Sequence, residues 1–376
     1  MSNKHQFSPT RLKLARKRRG MTLVRLEQLT GISTRTLSGY ESVRSDKRDQ
    51  GPDRLTDRVL ETLAQALRVP VAFLIAEDVE EIPLAAVSFR APSKLTAGQR
   101  DMALAAARIA IMINEWVEER FRLPASDVPT LTGRDPELAA EQVRNLWQLG
   151  VAPIPNLVHL LEAHGVRVFS LAEECLEVDA FSFYWKGRPY VIINTRKSGE
   201  RGRFDAAHEL GHLVLHPEHE VPQGKLAEQQ AQRFASAFLM PATAVRAKRL
   251  NNASVDRVLA AKKTWKVSAM ALTYRLHELD LVTEWGYRTL ATNLSRMGYR
   301  RQEPDGVGRE ASQLLAKVFA ALRAESVTAA QVARALHIKP EEINQHIFGL
   351  VPTPIATVAG GGRTTPPRPA ALQLVR

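Results

Sequence analysis

Cysteine is almost missing from this chain of 376 residues, with Cys175 the single one. One thiol excludes an intramolecular disulfide and the thiolate clusters of structural zinc sites, and it points to a reducing compartment. Cys175 itself is expected to be a buried packing residue. Long apolar runs are missing as well. The best one, ALAAARIAIMI, is interrupted by Arg108, so no stretch is expected to span a bilayer. The opening MSNKHQFSPTRLK has no apolar signal core, and the expectation is a cytoplasmic protein without a membrane partner. What is present is 44% hydrophobic content, enough for packed cores in two or three domains. The net charge is +12, and the first 50 residues hold 12 Lys and Arg against 4 Asp and Glu. A basic excess gathered at one end suits double-stranded DNA as a partner.

The N-terminal segment reads as short helices with marked ends. Ser8 can cap the first, Pro9 occupies its first turn, and Gly20 stops it after the basic run Arg16 to Arg19. Thr22 starts a second, with Leu23, Leu26 and Leu29 on one face before a turn at Gly31 and Ile32. Ser33 starts a third with Leu37 and Tyr40 inward. Residues 55–73 close the bundle. Arg11, Ala15, Arg16, Arg19, Gly20, Thr22, Leu26, Gly31, Ile32, Ser33, Ser38, Tyr40 and Glu41 together resemble the Xre/Cro-type helix-turn-helix repressor domain. The resemblance covers about the first eighty residues and implies an all-α DNA-binding domain. Its third helix would offer Thr34, Arg35, Thr36 and Ser38 to base edges in the major groove, with Arg35 able to grip a guanine bidentately. Arg16, Lys17 and Arg44 would meet phosphates. The charged stretch SVRSDKRDQGPDRLTDR is longer than the family's usual link to the fourth helix.

A connector over 81–130 follows, with a continuous amphipathic helix over 95–121. Beyond it, PNLVHLLEAHG reads as a helix ended by Gly165, and VRVFSL, AFSFYW and PYVIINT read as strands, the last two forming a hairpin through Lys186-Gly187-Arg188. Immediately afterwards comes FDAAHELGHLVLH. His208 and His212, four apart on a helix, stack on one face and can converge on one ion, while Glu209 lies beside them, placed to act as a general base on a water. Zinc, Zn2+, suits such a nitrogen and oxygen donor set, but two histidines hold it poorly. His216 lies about 12 Å along the axis from His208, too far in line to complete a tetrahedral face. It reads better as a support for the ligands or a helix cap. His219 would need a turn glycine where Leu215 stands. Glu228 fits instead: it shares the stripe of Ala231, Ala235, Phe238 and Leu239, and a carboxylate on such a stripe needs a cation. Gly211, costly inside a helix, indicates close approach by another backbone, a strand or a substrate.

These residues, with Phe234, Met240 and Pro241, resemble the ImmA/IrrE family of zinc metallopeptidases from about Val166 through Pro241. The resemblance implies a gluzincin-like α+β fold with His208, His212 and Glu228 as ligands and Glu209 as base. It also implies an endopeptidase acting on a repressor protein in mobile-element or stress control, whose substrate would pair with an exposed edge of the small sheet. Gln232 departs from the Asn or Asp common in relatives. Arg201 and Arg203 are candidate substrate contacts.

The expected organisation is multidomain. An all-α helix-turn-helix domain at 1–80 and the connector precede a metallopeptidase domain at 131–245, helices at 246–358 and a disordered tail at 359–376. Near the end, TAAQVARALHIKPEEINQHIFGL echoes the first helix-turn-helix spacing, but Glu341 and Glu342 would repel phosphate, so protein packing is expected there. Expected partners are DNA, a protein substrate and, in a homodimer, a second copy of the chain. The rival reading is a DNA-binding regulator whose zinc domain senses a ligand or metal and cuts nothing.

Overall fold

The computed structural model describes residues 7–42, 55–83, 87–90, 95–175, 177–216, 224–300, 302–347 and 349–351. Arg44, His219 and the tail 359–376 lie outside them. Side-chain caps set the starts of the first helices. Ser8 accepts from Arg11 N at the head of α1 (Pro9–Arg18), and Thr22 does the same for Arg25 N at α2 (Leu23–Thr30). Gly31, at φ 71°, closes α2, and Ser33 Oγ accepts from Thr36 N at 3.2 Å to open α3 (Thr34–Ser42). Together with α4 (Asp57–Leu67) and α5 (Val71–Leu74) they bury Leu12, Leu26, Leu37, Leu63, Leu67 and Phe73. Of the three leucines expected inward on α2, only Leu26 is buried. Leu29 is 45% exposed.

Next come β1 (Ser88–Arg90) and α6 (Ala97–Glu118). Far from having one wet face, α6 is buried without interruption over residues 105–114. α1 packs on it, and Asn114 Nδ2 donates to the Tyr190 hydroxyl at 2.9 Å under the sheet. The segment expected as a connector is therefore part of the packed interior. Among the described residues no helix is long and apolar enough to cross a membrane.

After α7 (Pro136–Leu146) and α8 (Leu157–Ala163) come β2 (Arg167–Ser170), β3 (Ala180–Trp185) and β4 (Arg188–Ile193). The sheet order is β1-β3-β4-β2, with β3 antiparallel to both its neighbours and β2 parallel to β4. Lys186 and Gly187, at φ 49° and 75°, make the tight hairpin turn. β3 and β4 are buried on both faces, which accounts for their near-continuous apolar sequence. Helices α9 (Gly199–Leu215) and α10 (Lys225–Leu239) follow, with α9 lying against β3 and β4.

The remaining helices are α11 (Ala242–Ala247), α12 (Val255–Trp265), α13 (Ala269–Glu278), α14 (Glu284–Arg296), α15 (Gln313–Ala324), α16 (Ala329–Ala335) and α17 (Pro340–Ile347). Two carboxylates tie this region to the core. Glu310 accepts from Leu157 N and Val158 N at the head of α8, and Glu162 accepts from Gln313 N and Leu314 N at the head of α15. α17 returns to the N-terminal bundle, where Glu342 pairs with Arg18 and Arg19, each at 2.9 Å. His346 is wholly buried, and its Nδ1 lies 3.1 Å from Ser170 O. A carbonyl only accepts, so the proton sits on Nδ1. The echo of the helix-turn-helix spacing is thus used for protein packing, and His337, at φ 56°, takes the turn conformation that Gly31 takes earlier.

Candidate metal centre

Ser198 caps α9 through Arg201 N, and this helix carries the two histidines on one face. His208 and His212 are 1% and 2% exposed, and their Nε2 atoms are 3.1 Å apart. From the first turn of α10, Glu228 reaches across, with Oε2 at 3.2 Å from His208 Nε2 and Oε1 at 3.3 Å from His212 Nε2. Donors bound tetrahedrally to one zinc at about 2.0–2.1 Å lie roughly 3.3–3.4 Å from one another. The three residues fit that spacing, and two imidazoles with one carboxylate are a donor set zinc accepts. Burial disfavours the ionised form of Glu228, but contacts from His208 and His212 outweigh it and hold the carboxyl well below its ordinary range. The Glu228 side chain remains 42% exposed, so the cluster is open to solvent on that side.

Helix crossing brings Glu228 into range. A Cβ at Gly211 would lie 3.2 Å from the Cα and O of Ala231 and 3.1 Å from Phe234 Cδ1. The close neighbour expected at Gly211 is therefore the α10 backbone, one turn beyond Glu228, and neither a strand nor a substrate.

His216 supports the ligands from behind. Its Nε2 is 2.8 Å from Gln230 Oε1, and its Nδ1 is 3.1 Å from His212 Nδ1. Burial lowers the His216 pKa, so the ring is neutral near neutral pH. With Nε2 donating to the amide oxygen, Nδ1 accepts from His212 Nδ1–H. That leaves the lone pair of His212 on Nε2, facing Glu228 and His208. Gln230 was not legible as part of the site, since nothing in the sequence marks which α10 residue meets His216.

Glu209 is fully buried, and its Oε2 accepts from Ser182 Oγ at 2.7 Å. Ser182 was also missed. A serine between Phe181 and Phe183 on a strand buried on both faces was the available signal, because a buried hydroxyl needs a polar partner. Arg203 and Arg201 sit elsewhere. Arg203 is 2% exposed and pairs with Glu310, and Arg201 pairs with Asp179 at 3.3 Å, so both are engaged within the fold.

On α3, Arg35, Thr36 and Ser38 are exposed and Thr34 is half-buried. Arg16 and Lys17 lie on α1 and are half-buried. Arg16 forms a two-pronged pair with Glu41 and donates to Met21 O, because it closes α1 onto α3. Lys17 pairs with Glu81 and Asp101, both at 3.3 Å.

Residues 161–277 match the family model Peptidase_M78, described as the IrrE N-terminal-like domain. The match takes in all three donors, Glu209 and Ser182, and runs past Pro241 through α13. No curated protein matches the chain.

Proposed function

We propose that this chain is a zinc-dependent endopeptidase joined to a DNA-binding helix-turn-helix unit, and that it cleaves a protein, namely a transcriptional repressor in mobile-element or stress control. The observation that carries the reading is the convergence of His208, His212 and Glu228 from two helices beside the buried Glu209. The metallopeptidase match over 161–277 supports it.

His208 and His212 would hold zinc through Nε2 and Glu228 through its carboxylate. Zinc, when held there, would supply Lewis acidity and favour ionisation of water near neutral pH. Glu209 takes the proton from the attacking water and delivers it to the departing amine, while Ser182 keeps its carboxylate in one orientation. His216 and Gln230 hold the His212 ring in the tautomer that presents Nε2.

The N-terminal unit, 1–80, would read DNA through Thr34, Arg35, Thr36 and Ser38, with Arg35 on guanine. Its open α3 face and the basic excess of the first 50 residues support that role. The fusion would bring proteolysis to a promoter in the cytoplasm. Purified protein supplied with zinc and candidate repressors should give one discrete cut. The cut should vanish in Glu209→Gln while zinc stays near one per chain. Persistent cutting in that variant removes Glu209 from its role, and full zinc occupancy with no cut in any partner supports the non-proteolytic sensor. In gel-shift assays Arg35→Ala should lose discrimination at one base pair, worth about 1–3 kcal/mol.

A further inference from the structure

The strand nearest the candidate metal centre has an occupied edge. β3 runs along α9, where Ser182 Oγ contacts Glu209 and the Tyr184 hydroxyl donates to Leu213 O at 3.1 Å. One side of β3 pairs with β4. The other side is covered by β1, a strand of three residues, running antiparallel with Ser88 opposite Ser182, Phe89 opposite Phe181 and Arg90 opposite Ala180. The residue facing Ser88 in the ladder is thus the one that holds Glu209.

A strand edge binds an extended peptide through its backbone groups, and it takes one strand at a time. The open edge expected for a substrate is, in the folded chain, filled by the chain's own residues 88–90. Those residues come from the stretch joining the N-terminal bundle to α6. A hold of three residues is brief, since each backbone hydrogen bond contributes only about 0.5–1.5 kcal/mol net. A longer extended segment can therefore replace it.

We propose that Ser88–Arg90 is an intramolecular competitor seated on the peptide-binding edge of β3, and that an extended protein segment gains access to the site by pairing antiparallel with Ala180–Ser182 in its place. The proposal rests on the endopeptidase reading for its biological meaning, but the competition itself is a binding property.

The test uses the full-length chain and a fluorescent synthetic peptide with the sequence of residues 84–94. Ser88→Pro/Phe89→Pro removes two successive backbone donors, so whichever of them faces β3 is lost. The variant should bind the peptide about tenfold or more tightly than the unaltered chain, because the competent state is no longer a minor fraction. Hydrogen exchange at Ala180–Ser182 should be faster in the variant and slow again when peptide is added. Equal affinity for both chains, or bound peptide that leaves those amides unprotected, overturns the proposal. Should the proline variant fail to fold, Ala180→Cys/Arg90→Cys replaces it, since directly opposed strand residues lie within disulfide range. Peptide binding should then disappear on oxidation and return on reduction, and binding indifferent to oxidation refutes the idea. Competition without any zinc-dependent cleavage would leave the strand assignment standing and count against the endopeptidase reading alone.

Discussion

Replacing Gly211 by alanine separates a local effect from a tertiary one at the candidate metal centre. Inside a helix the change should stabilise by about 1 kcal/mol through propensity. Against this, the new Cβ would stand 3.2 Å from the Ala231 backbone and 3.1 Å from Phe234. Backbone atoms cannot step aside as a flexible side chain can, so α10 must move, at an overpacking cost of about 1–3 kcal/mol. The second term equals or exceeds the first, and the variant should be neutral to about 2 kcal/mol less stable. Gly202, on the same helix, supplies the control, because a methyl group added there would meet nothing within 4 Å. Gly202→Ala should gain the propensity term alone, so the two variants should differ by about 1–3 kcal/mol in urea denaturation. Moving α10 also carries Glu228 away from the histidines, and zinc affinity by calorimetry should fall about 10–100-fold in Gly211→Ala, as when a supporting contact is lost. Gly202→Ala should bind zinc unchanged. If the two variants are equally stabilised and bind zinc alike, the close crossing of α9 and α10 is not what places Glu228.

Removing the carboxylate in Glu228→Ala should leave a chain that purifies without stoichiometric zinc by atomic emission, and unchanged occupancy would refute its assignment as a ligand. Glu342→Ala takes the best-placed partner from Arg18, which is 2% exposed. An unmatched buried charge costs about 3–5 kcal/mol, and the remaining contacts to Glu174 and Gln345 put this case near the lower end. A loss under about 1 kcal/mol by urea denaturation would show that α17 is not held through this pair. Burial lowers the His346 pKa from 6.5 to about 4. Between those values the unfolded chain binds a proton that the folded chain does not. The native state is therefore favoured above pH 6.5 and loses about 3 kcal/mol as the pH falls to 4. Denaturation midpoints across that range should show the decline, and a His346→Gln chain should show less of it.

Local signals carried much of the reading because they need no knowledge of the rest of the fold. Ser8, Thr22 and Ser33 cap helices through their own backbone neighbours, and Lys186-Gly187 turns a hairpin by its dihedral angles alone. The four-residue step from His208 to His212 is likewise a property of one helix. Glu228 was legible as a candidate as well, by the stripe it shares with Ala231 and Ala235.

Residues whose roles depend on distant partners could not be placed in that way. The pairing of Arg16 with Glu41, 25 residues on, is a contact of that kind. Ser182, Gln230 and the edge strand Ser88–Arg90 matter only because other segments lie beside them, and three residues are too few to show an alternating pattern. Helix α6 also hid its all-round burial over 105–114, since that depends on what the fold packs against each face. By itself the sequence determined the caps and turns of the first helices, the hairpin and the strands β2, β3 and β4, and that two imidazoles share a face, because those follow from covalent geometry and neighbouring side chains. Only the tertiary structure decided that Glu228 reaches them, which hydroxyl holds Glu209 and which strand fills the edge of β3, because long-range packing brings those groups together and chain distance does not encode it.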